Sequence, residues 1–166
     1  MKTTVDVLAL LTSQHDEVDA LISKLENGKG DRKALFAQLA DKLAAHATAE
    51  EKVFYPGVMM KQTDDMLHEA VEEHLQIKRL LADMLDLDGN DEAFDAKLAV
   101  LKEQVTHHAR EEEEGKLFPL LRKQLDADQL AALGNEVLAM FEEVVAHEPR
   151  FDVRDETTEA APLPAL

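Results

Sequence analysis

Histidine and glutamate residues at helical spacing are the part of this chain that could carry chemistry. In the stretch FAQLADKLAAHATAE, an apolar stripe formed by Phe36, Leu39 and Leu43 leads to His46 and Glu50. Steps of three and four residues put all five on one face of an α-helix. Taken alone, such a pair is most often an exposed ion pair or a satisfied core histidine, because charged side chains are rarely buried unpaired.

The same pattern occurs a second time in the chain. In LAVLKEQVTHHAREE, the apolar residues Leu98, Leu101 and Val105 precede His108 and Glu112 at the offsets seen in the first stretch. An apolar stripe that ends in an imidazole and a carboxylate would place polar groups in the core, so its repetition is not explained by apolar packing. The repeat therefore indicates a shared polar site.

Two further histidines, His15 and His74, also lie inside apolar helical stripes. Four predicted helices thus each present one inward histidine, and two of them also present an inward carboxylate. Burying these groups together without a partner would cost much free energy, which a bound metal ion offsets. The predicted metal ligands are His15, His46, Glu50, His74, His108 and Glu112.

The number and type of these ligands favour a particular metal centre. Six ligands are too many for one tetrahedral zinc ion and suit two octahedral ions. With Glu50 and Glu112 as bridges and two histidines per ion, each ion keeps room for a bridging oxo or hydroxo oxygen and for an exchangeable position. Two iron ions fit this set best. Zinc can replace iron, because nitrogen and oxygen ligands generally bind Zn²⁺ more tightly than Fe²⁺.

The spacing after the second ligand pair leaves one ambiguity. The interval from histidine to proline is ten residues in HATAEEKVFYP but eleven in HAREEEEGKLFP. A π-bulge near Gly115 would absorb the extra residue. The insertion also leaves His107 with Glu111 as an alternative pair, although the stripe behind His108 is the more apolar one.

Composition and charge narrow the class of protein. The 166 residues are 45% hydrophobic with few aromatics, which predicts one all-α domain. The formal net charge of −17 disfavours nucleic acid and membrane partners. Cysteine is absent, so a metal must use histidine and carboxylate. Without a signal-peptide pattern or an 18-residue apolar stretch, the expected location is cytoplasmic.

Periodicity and turn residues predict the architecture. We expect an antiparallel up-down-up-down four-helix bundle with an additional C-terminal helix over about 127–146, capped by Asp126. Residues 1–146 would form the bundle domain. Residues 147–166 are acidic, contain proline and lack periodicity, which predicts a loosely attached, disordered tail.

Several of these motifs together resemble the haemerythrin-like, HHE cation-binding domain over about residues 5–125. They are His15 followed by Asp16, HATAEEKVFYP, Glu73 followed by His74, and HHAREEEEGKLFP. The resemblance implies a four-helix bundle with a non-haem di-iron centre held by the six ligands named above. Oxygen-carrying haemerythrins have a second histidine one turn from the first on the third helix, where this chain has Ala70 and Lys78. That departure favours the bacterial type, whose roles include sensing, peroxide removal and iron handling.

Three functions remain open at this stage. The leading hypothesis is a binding protein that takes O2, NO or peroxide at an open iron position. Two carboxylates neutralise less of the charge of two ferric ions than the larger number in ferritin-like sites, so the diferrous state is favoured. Such a centre should bind small oxidants rather than mineralise iron. The alternative is an oxidoreductase that removes peroxide or NO, for which Tyr55 is a weak candidate residue. The third is a metal-stabilised scaffold. Homodimerisation is left open.

Overall fold

The computed structural model describes residues 4–166 and consists of five long helices joined by short loops. These are α1 (Val7–Glu26), α2 (Arg32–Ala49), α3 (Asp64–Leu85), α4 (Glu92–Thr106) and α5 (Ala127–Val145). The described residues contain no strand, which confirms the all-α prediction. None of these helices is both long enough and apolar enough to cross a membrane.

Aspartate caps start four of the five helices. The carboxylates of Asp6, Asp31 and Asp91 accept hydrogen bonds from backbone N–H groups in the first turns of α1, α2 and α4. Asp126 and Gln129 form the predicted reciprocal capping box of α5. These short side chains satisfy N–H groups that have no partner within the helix, and so they set where each helix begins.

Two of the helices continue past their α-helical part as π-helix. The first π segment, Glu50–Phe54, follows α2 and leads into the short helix Tyr55–Gly57. The second, His107–Leu117, follows α4 and leads into the helix Phe118–Gln124. In a π-helix, hydrogen bonds join residues five apart rather than four apart, so both segments change which side chains face the interior.

The buried side chains form two apolar clusters with a polar layer between them. One cluster contains Val18, Ile22, Leu43 and Ile77, and the other contains Leu11, Ala49, Val71 and Leu117. Along the chain, the four histidines at the predicted ligand positions fall where the packing changes from one cluster to the other: His15, His46, His74 and His108. The helices therefore bring polar groups together at the boundary of two dry regions.

The predicted additional helix is present and packs on the bundle. Helix α5 contacts both α1 and α2. Gly134 lies against the backbone carbonyl of Val5, and any Cβ at this position would overlap that carbonyl. The glycine thus allows a close approach between α5 and the N-terminal side of α1.

The expectation of a disordered tail is wrong for the segment that follows α5. Two 3-10 turns, Pro149–Phe151 and Val153–Glu156, lie against the bundle. Val153 is buried in the first apolar cluster. The side chain of Arg150 pairs with Asp41 at 2.6 Å, which sequence periodicity does not reveal because the contact joins distant parts of the chain.

Candidate metal centre

Four buried histidines each direct one ring nitrogen to an outer hydrogen-bond partner. The Nδ1 distances are 2.6 Å from His15 to Glu114, 2.6 Å from His46 to the Gln14 amide oxygen, 2.8 Å from His74 to Glu51 and 2.9 Å from His108 to Glu73. All four partner atoms are oxygens that accept a hydrogen bond from Nδ1–H. In the neutral form of each ring this leaves the lone pair on Nε2, as in the histidine ligands of metal proteins.

The free nitrogens point toward a common space. The Nε2 atoms of His74 and His108 lie 3.0 Å apart. Because both Nδ1 atoms donate to carboxylates, the two rings in their neutral forms would face each other with the lone pairs of Nε2. A cation between them removes that repulsion.

The facing atoms form two groups of three ligands. One group contains His15, His46 and Glu113, and the other contains Glu50, His74 and His108. All six residues are buried, and within each group the ligand atoms lie within 4.8 Å of one another. We call these groups site A (His15, His46, Glu113) and site B (Glu50, His74, His108).

The two carboxylates connect the sites. Glu50 Oε1 lies 2.8 Å from His46 Nε2 in site A and 3.3 Å from His74 Nε2 in site B. Glu113 Oε1 lies 3.2 Å from His15 Nε2 in site A and 3.4 Å from His108 Nε2 in site B. Each carboxylate is thus placed to bridge two ions.

Several atoms at this centre have no hydrogen-bond partner. They are Nε2 of His15 and His46, both oxygens of Glu50, and Oε1 of Glu113. Buried polar atoms are normally paired, since leaving one unpaired costs about 1–3 kcal/mol. Their convergence fits two metal ions held by nitrogen and carboxylate oxygen.

The structure places one predicted ligand, Glu112, outside the centre. Five of the six predicted residues meet at the centre, but the Glu112 side chain is 20% exposed and accepts a hydrogen bond from Lys116 at 2.8 Å. Its place is taken by Glu113, whose side chain is 2% exposed. The reason is the π-helical backbone, which puts residue i+5 rather than i+4 on the same side as His108.

A signal for Glu113 was present in the sequence. Glu50 and Glu113 each precede a proline by six residues in the motifs EEKVFYP and EEGKLFP. The backbone carbonyls of both accept a hydrogen bond from the N–H five residues later. The extra residue of the second repeat therefore lies between its histidine and its glutamate, and not after the pair near Gly115.

The remaining histidines lie outside the centre. His107 has a side chain that is 46% exposed and contacts Glu73 and Glu111, so the alternative pair His107 and Glu111 is not the inward one. His68 and His147 are exposed. These positions agree with the choice of His108 from the apolar stripe.

Tyr55 contributes a hydroxyl group to the centre. The side chain is fully buried, and its hydroxyl donates to Glu113 at 2.9 Å. The same oxygen lies 3.4 Å from Nε2 of both His74 and His108, which places it beside site B. Burial and the charges of Glu113 and Glu50 raise the pKa of Tyr55 well above its usual value.

The ionisable groups influence one another strongly. Burial disfavours the protonated form of His108, but the charge of Glu113, the nearby Glu50 carboxylate and the hydrogen bond to Glu73 raise its pKa well above the usual value. Burial likewise disfavours the charged form of Glu50, yet the charge of His46 and the neighbouring His108 and Glu113 side chains hold its pKa well below the usual value. In both cases, a nearby opposite charge outweighs desolvation.

A small cavity of about 30 Å³ adjoins the centre. Its lining includes all four site histidines together with apolar side chains such as Val18, Ile77 and Leu81. A cavity needs about 10–15 Å³ to hold one water molecule, so this space admits a ligand of only a few atoms.

Comparisons with known proteins indicate the family and the fold. The family model described as Hemerythrin HHE cation binding domain matches residues 6–121. A solved HHE cation binding domain-containing protein from Mycobacterium kansasii is 21% identical and has a TM-score of 0.75, with 92% of this chain and 94% of that chain covered.

A curated protein from Nostoc sp. named DNA nickase is 28% identical over 140 residues. The match covers 83% of this chain but 40% of that relative, so the chain spans less than half of its length. The family match covers most of the chain and includes every residue of sites A and B. The chain belongs to the haemerythrin HHE cation-binding domain family.

Proposed function

We propose that this protein binds two iron ions at sites A and B and takes a small oxidant, O2, NO or peroxide, beside them. The observation that carries the proposal is the pair of buried ligand groups joined by Glu50 and Glu113. Two bound iron ions would supply a redox couple and an open coordination position. The chain itself orients the ligands through the outer partners of its histidines and limits access by the small cavity.

Metal content is the first test of this proposal. Protein grown in iron-rich medium should contain about two iron ions per chain, because two bridged octahedral ions use all six ligands. Elemental analysis measures the ratio. One ion per chain would contradict the bridging role of Glu50 and Glu113, and zinc as the dominant metal in iron-rich cells would contradict the assignment to iron.

Ligand size is the second test. The iron-loaded protein should change its visible absorption on exposure to O2, NO or peroxide and should leave bulkier alkyl peroxides unbound, since the cavity holds only a few atoms. A matched variant is Val18→Leu, because Val18 lines the cavity without belonging to a ligand group. Added volume there should weaken binding of the oxidant while the metal content stays the same.

An oxidoreductase that removes peroxide or NO is the alternative function. The observation that favours it is Tyr55, whose hydroxyl could donate a proton beside site B. Steady-state consumption of peroxide or NO far above that of free iron would support catalysis. In that case Tyr55→Phe should lower turnover, whereas a simple binding protein with the same substitution should show no turnover to lose.

The name of the Nostoc relative does not lead us to propose DNA cleavage. The match leaves most of that protein without a counterpart here. The net charge of −17 would also repel a phosphate backbone. The proposed partner remains a small oxidant, with no nucleic acid or membrane.

A further inference from the structure

The two halves of the centre are related by the internal repeat of the chain. His15 in α1 corresponds to His74 in α3, and each is preceded by a polar residue, Gln14 or Glu73. Each of these preceding residues binds the Nδ1 of the other histidine in its own site. Site A and site B therefore have matching outer partners, residue by residue.

The first pair of corresponding outer partners, Glu114 and Glu51, carries the same charge in both sites. Glu114 binds His15 in site A and is paired with Arg110 at 2.7 Å. Its counterpart Glu51 binds His74 in site B and is paired with Lys78 at 3.0 Å. Arg110 also pairs with Asp16 and Asp19, and Lys78 also pairs with Glu156. Each site therefore has one histidine on a carboxylate that is itself paired with a cation.

The second pair of corresponding outer partners, Gln14 and Glu73, differs in charge between the sites. His46 in site A donates to the neutral amide of Gln14, whereas His108 in site B donates to the carboxylate of Glu73. A carboxylate partner makes an imidazole a stronger metal ligand than an amide partner does, and outer partners change metal affinity by about 10–100-fold. The side chain of His107 contacts the second oxygen of Glu73, but it is 46% exposed, so solvent screens its effect.

We propose that Gln14 and Glu73 make the two ion sites unequal, with site B binding its ion more tightly than site A. Both act as positioning residues, since each contacts a ligand and not the ion. The difference makes the ion at site A the exchangeable one. This inference rests on the metal-binding part of the proposed function.

The sole tyrosine of the chain offers a reporter for one site. Tyr55 lies 3.4 Å from two histidine nitrogens of site B, and the chain has no tryptophan. An ion that leaves site B should therefore alter the ultraviolet absorption of the tyrosine directly. Loss of the ion from site A should alter it less, because the hydroxyl reaches that site through its hydrogen bond to Glu113 and not through a histidine ligand.

The experiment starts from the cobalt-loaded protein and adds a chelator of known affinity in steps. In the natural sequence, the first ion should leave with the smaller change in tyrosine absorption. The second ion should leave at about tenfold higher chelator concentration with the larger change. Cobalt content is measured at each step. Simultaneous loss of both ions, or a larger tyrosine change with the first ion than with the second, would overturn the proposal.

Reciprocal substitutions supply the matched variants. Glu73→Gln should weaken site B by about tenfold or more, and Gln14→Glu should strengthen site A by a similar factor. In the double variant, the larger tyrosine change should accompany the first ion lost. A gain of affinity in Gln14→Glu cannot come from damage to the fold, so this variant separates positioning from a merely structural role.

His107→Ala is the control for the surface contact of Glu73. It should leave the order of ion loss unchanged, because His108 keeps its carboxylate partner. A reversed order in this control would overturn the role given to Glu73. If the natural protein holds two ions but loses them without order, only this inference fails, whereas a protein that holds no ions contradicts the proposed function as well.

Discussion

At the scale of single residues, the centre depends on which atom of each side chain is left free. The Nδ1 atoms of the four histidines are engaged by Glu114, Gln14, Glu51 and Glu73, so Nε2 is available in every ring. Sequence periodicity shows that a histidine faces inward. It does not show which outer residue will orient the ring, because those partners lie on other helices.

Adjacent glutamates give a sharp test at this scale. Glu113→Gln should lower the metal content from about two ions per chain toward one, because a neutral amide is a poor bridging ligand. Glu112→Gln should keep both ions, since Glu112 lies outside the centre and pairs with Lys116. Elemental analysis after identical iron loading compares the two variants. Metal loss in Glu112→Gln with retention in Glu113→Gln would reinstate the ligand predicted from spacing.

The titrating residues predict opposite pH dependence with and without metal. In the metal-free protein, neighbouring carboxylates raise the pKa values of His15, His74 and His108 against the effect of burial. Folding then favours their protonated forms, so this stability is present below the usual histidine pKa of 6.5 and is lost as pH rises through the raised values. Burial raises the pKa of Glu113, so its contribution to stability also falls as pH rises. The lowered pKa of Glu50 has the opposite effect, because its contribution is lost only as pH falls into the acid range.

Metal binding should reverse this trend. Protons compete with metal for the histidines, so affinity rises as the rings lose their protons. Thermal midpoints with and without chelator should therefore diverge as pH increases above about 6.5, with the chelated protein falling. Parallel curves would contradict the assignment of these histidines as ligands.

At the scale of elements, the π segment of the second repeat decides which glutamate faces the centre. An α-helix would place Glu112 beside His108, and the π-helix His107–Leu117 places Glu113 there instead. The interval from Glu113 to Pro119 in the second repeat equals the interval from Glu50 to Pro56 in the first repeat. Helix ends and caps, by contrast, follow from local residues such as Asp31 and Asp126.

Single deletions on either side of Glu113 test this interpretation. Removing Glu112 gives the second repeat the four-residue interval of the first, so an α-helical turn could present the same carboxylate, and we expect the metal to be retained. Removing Gly115 shortens the interval from Glu113 to the proline and rotates the buried Phe118 and Leu121 by about 100°. That variant should lose metal and stability, as measured by elemental analysis and thermal unfolding. Equal damage by both deletions would contradict the placement of the extra residue.

At the scale of the whole molecule, the segment after α5 closes over the bundle. It inserts Val153 into the apolar cluster and brings Glu156 to 3.3 Å from Lys78, which lines the cavity beside the centre. Arg154 also pairs with Asp86 at the end of α3. The segment thus connects the fold's last turns to the elements that hold the site.

Val153 and Phe151 form a matched pair for testing this packing. Val153→Ala should lower the free energy of unfolding by about 1.5–3 kcal/mol, because it removes buried methyl groups and leaves a cavity. Phe151→Ala should cost little, since Phe151 is 63% exposed. Chemical denaturation of both variants measures the difference. Equal, small effects would mean that the segment contributes little to stability in solution.

Local patterns in the sequence were sufficient to predict the helices, the inward histidines and a cluster of candidate metal ligands between them. Those features depend on steps of three and four residues and on capping groups, which act over one turn. The tertiary structure decided the rest: Glu113 in place of Glu112, the outer partners Gln14 and Glu73, and the docking of Val153. Each of these depends on hydrogen bonds or packing between parts of the chain that are distant in sequence, or on a π-helical register that α-helical periodicity does not describe.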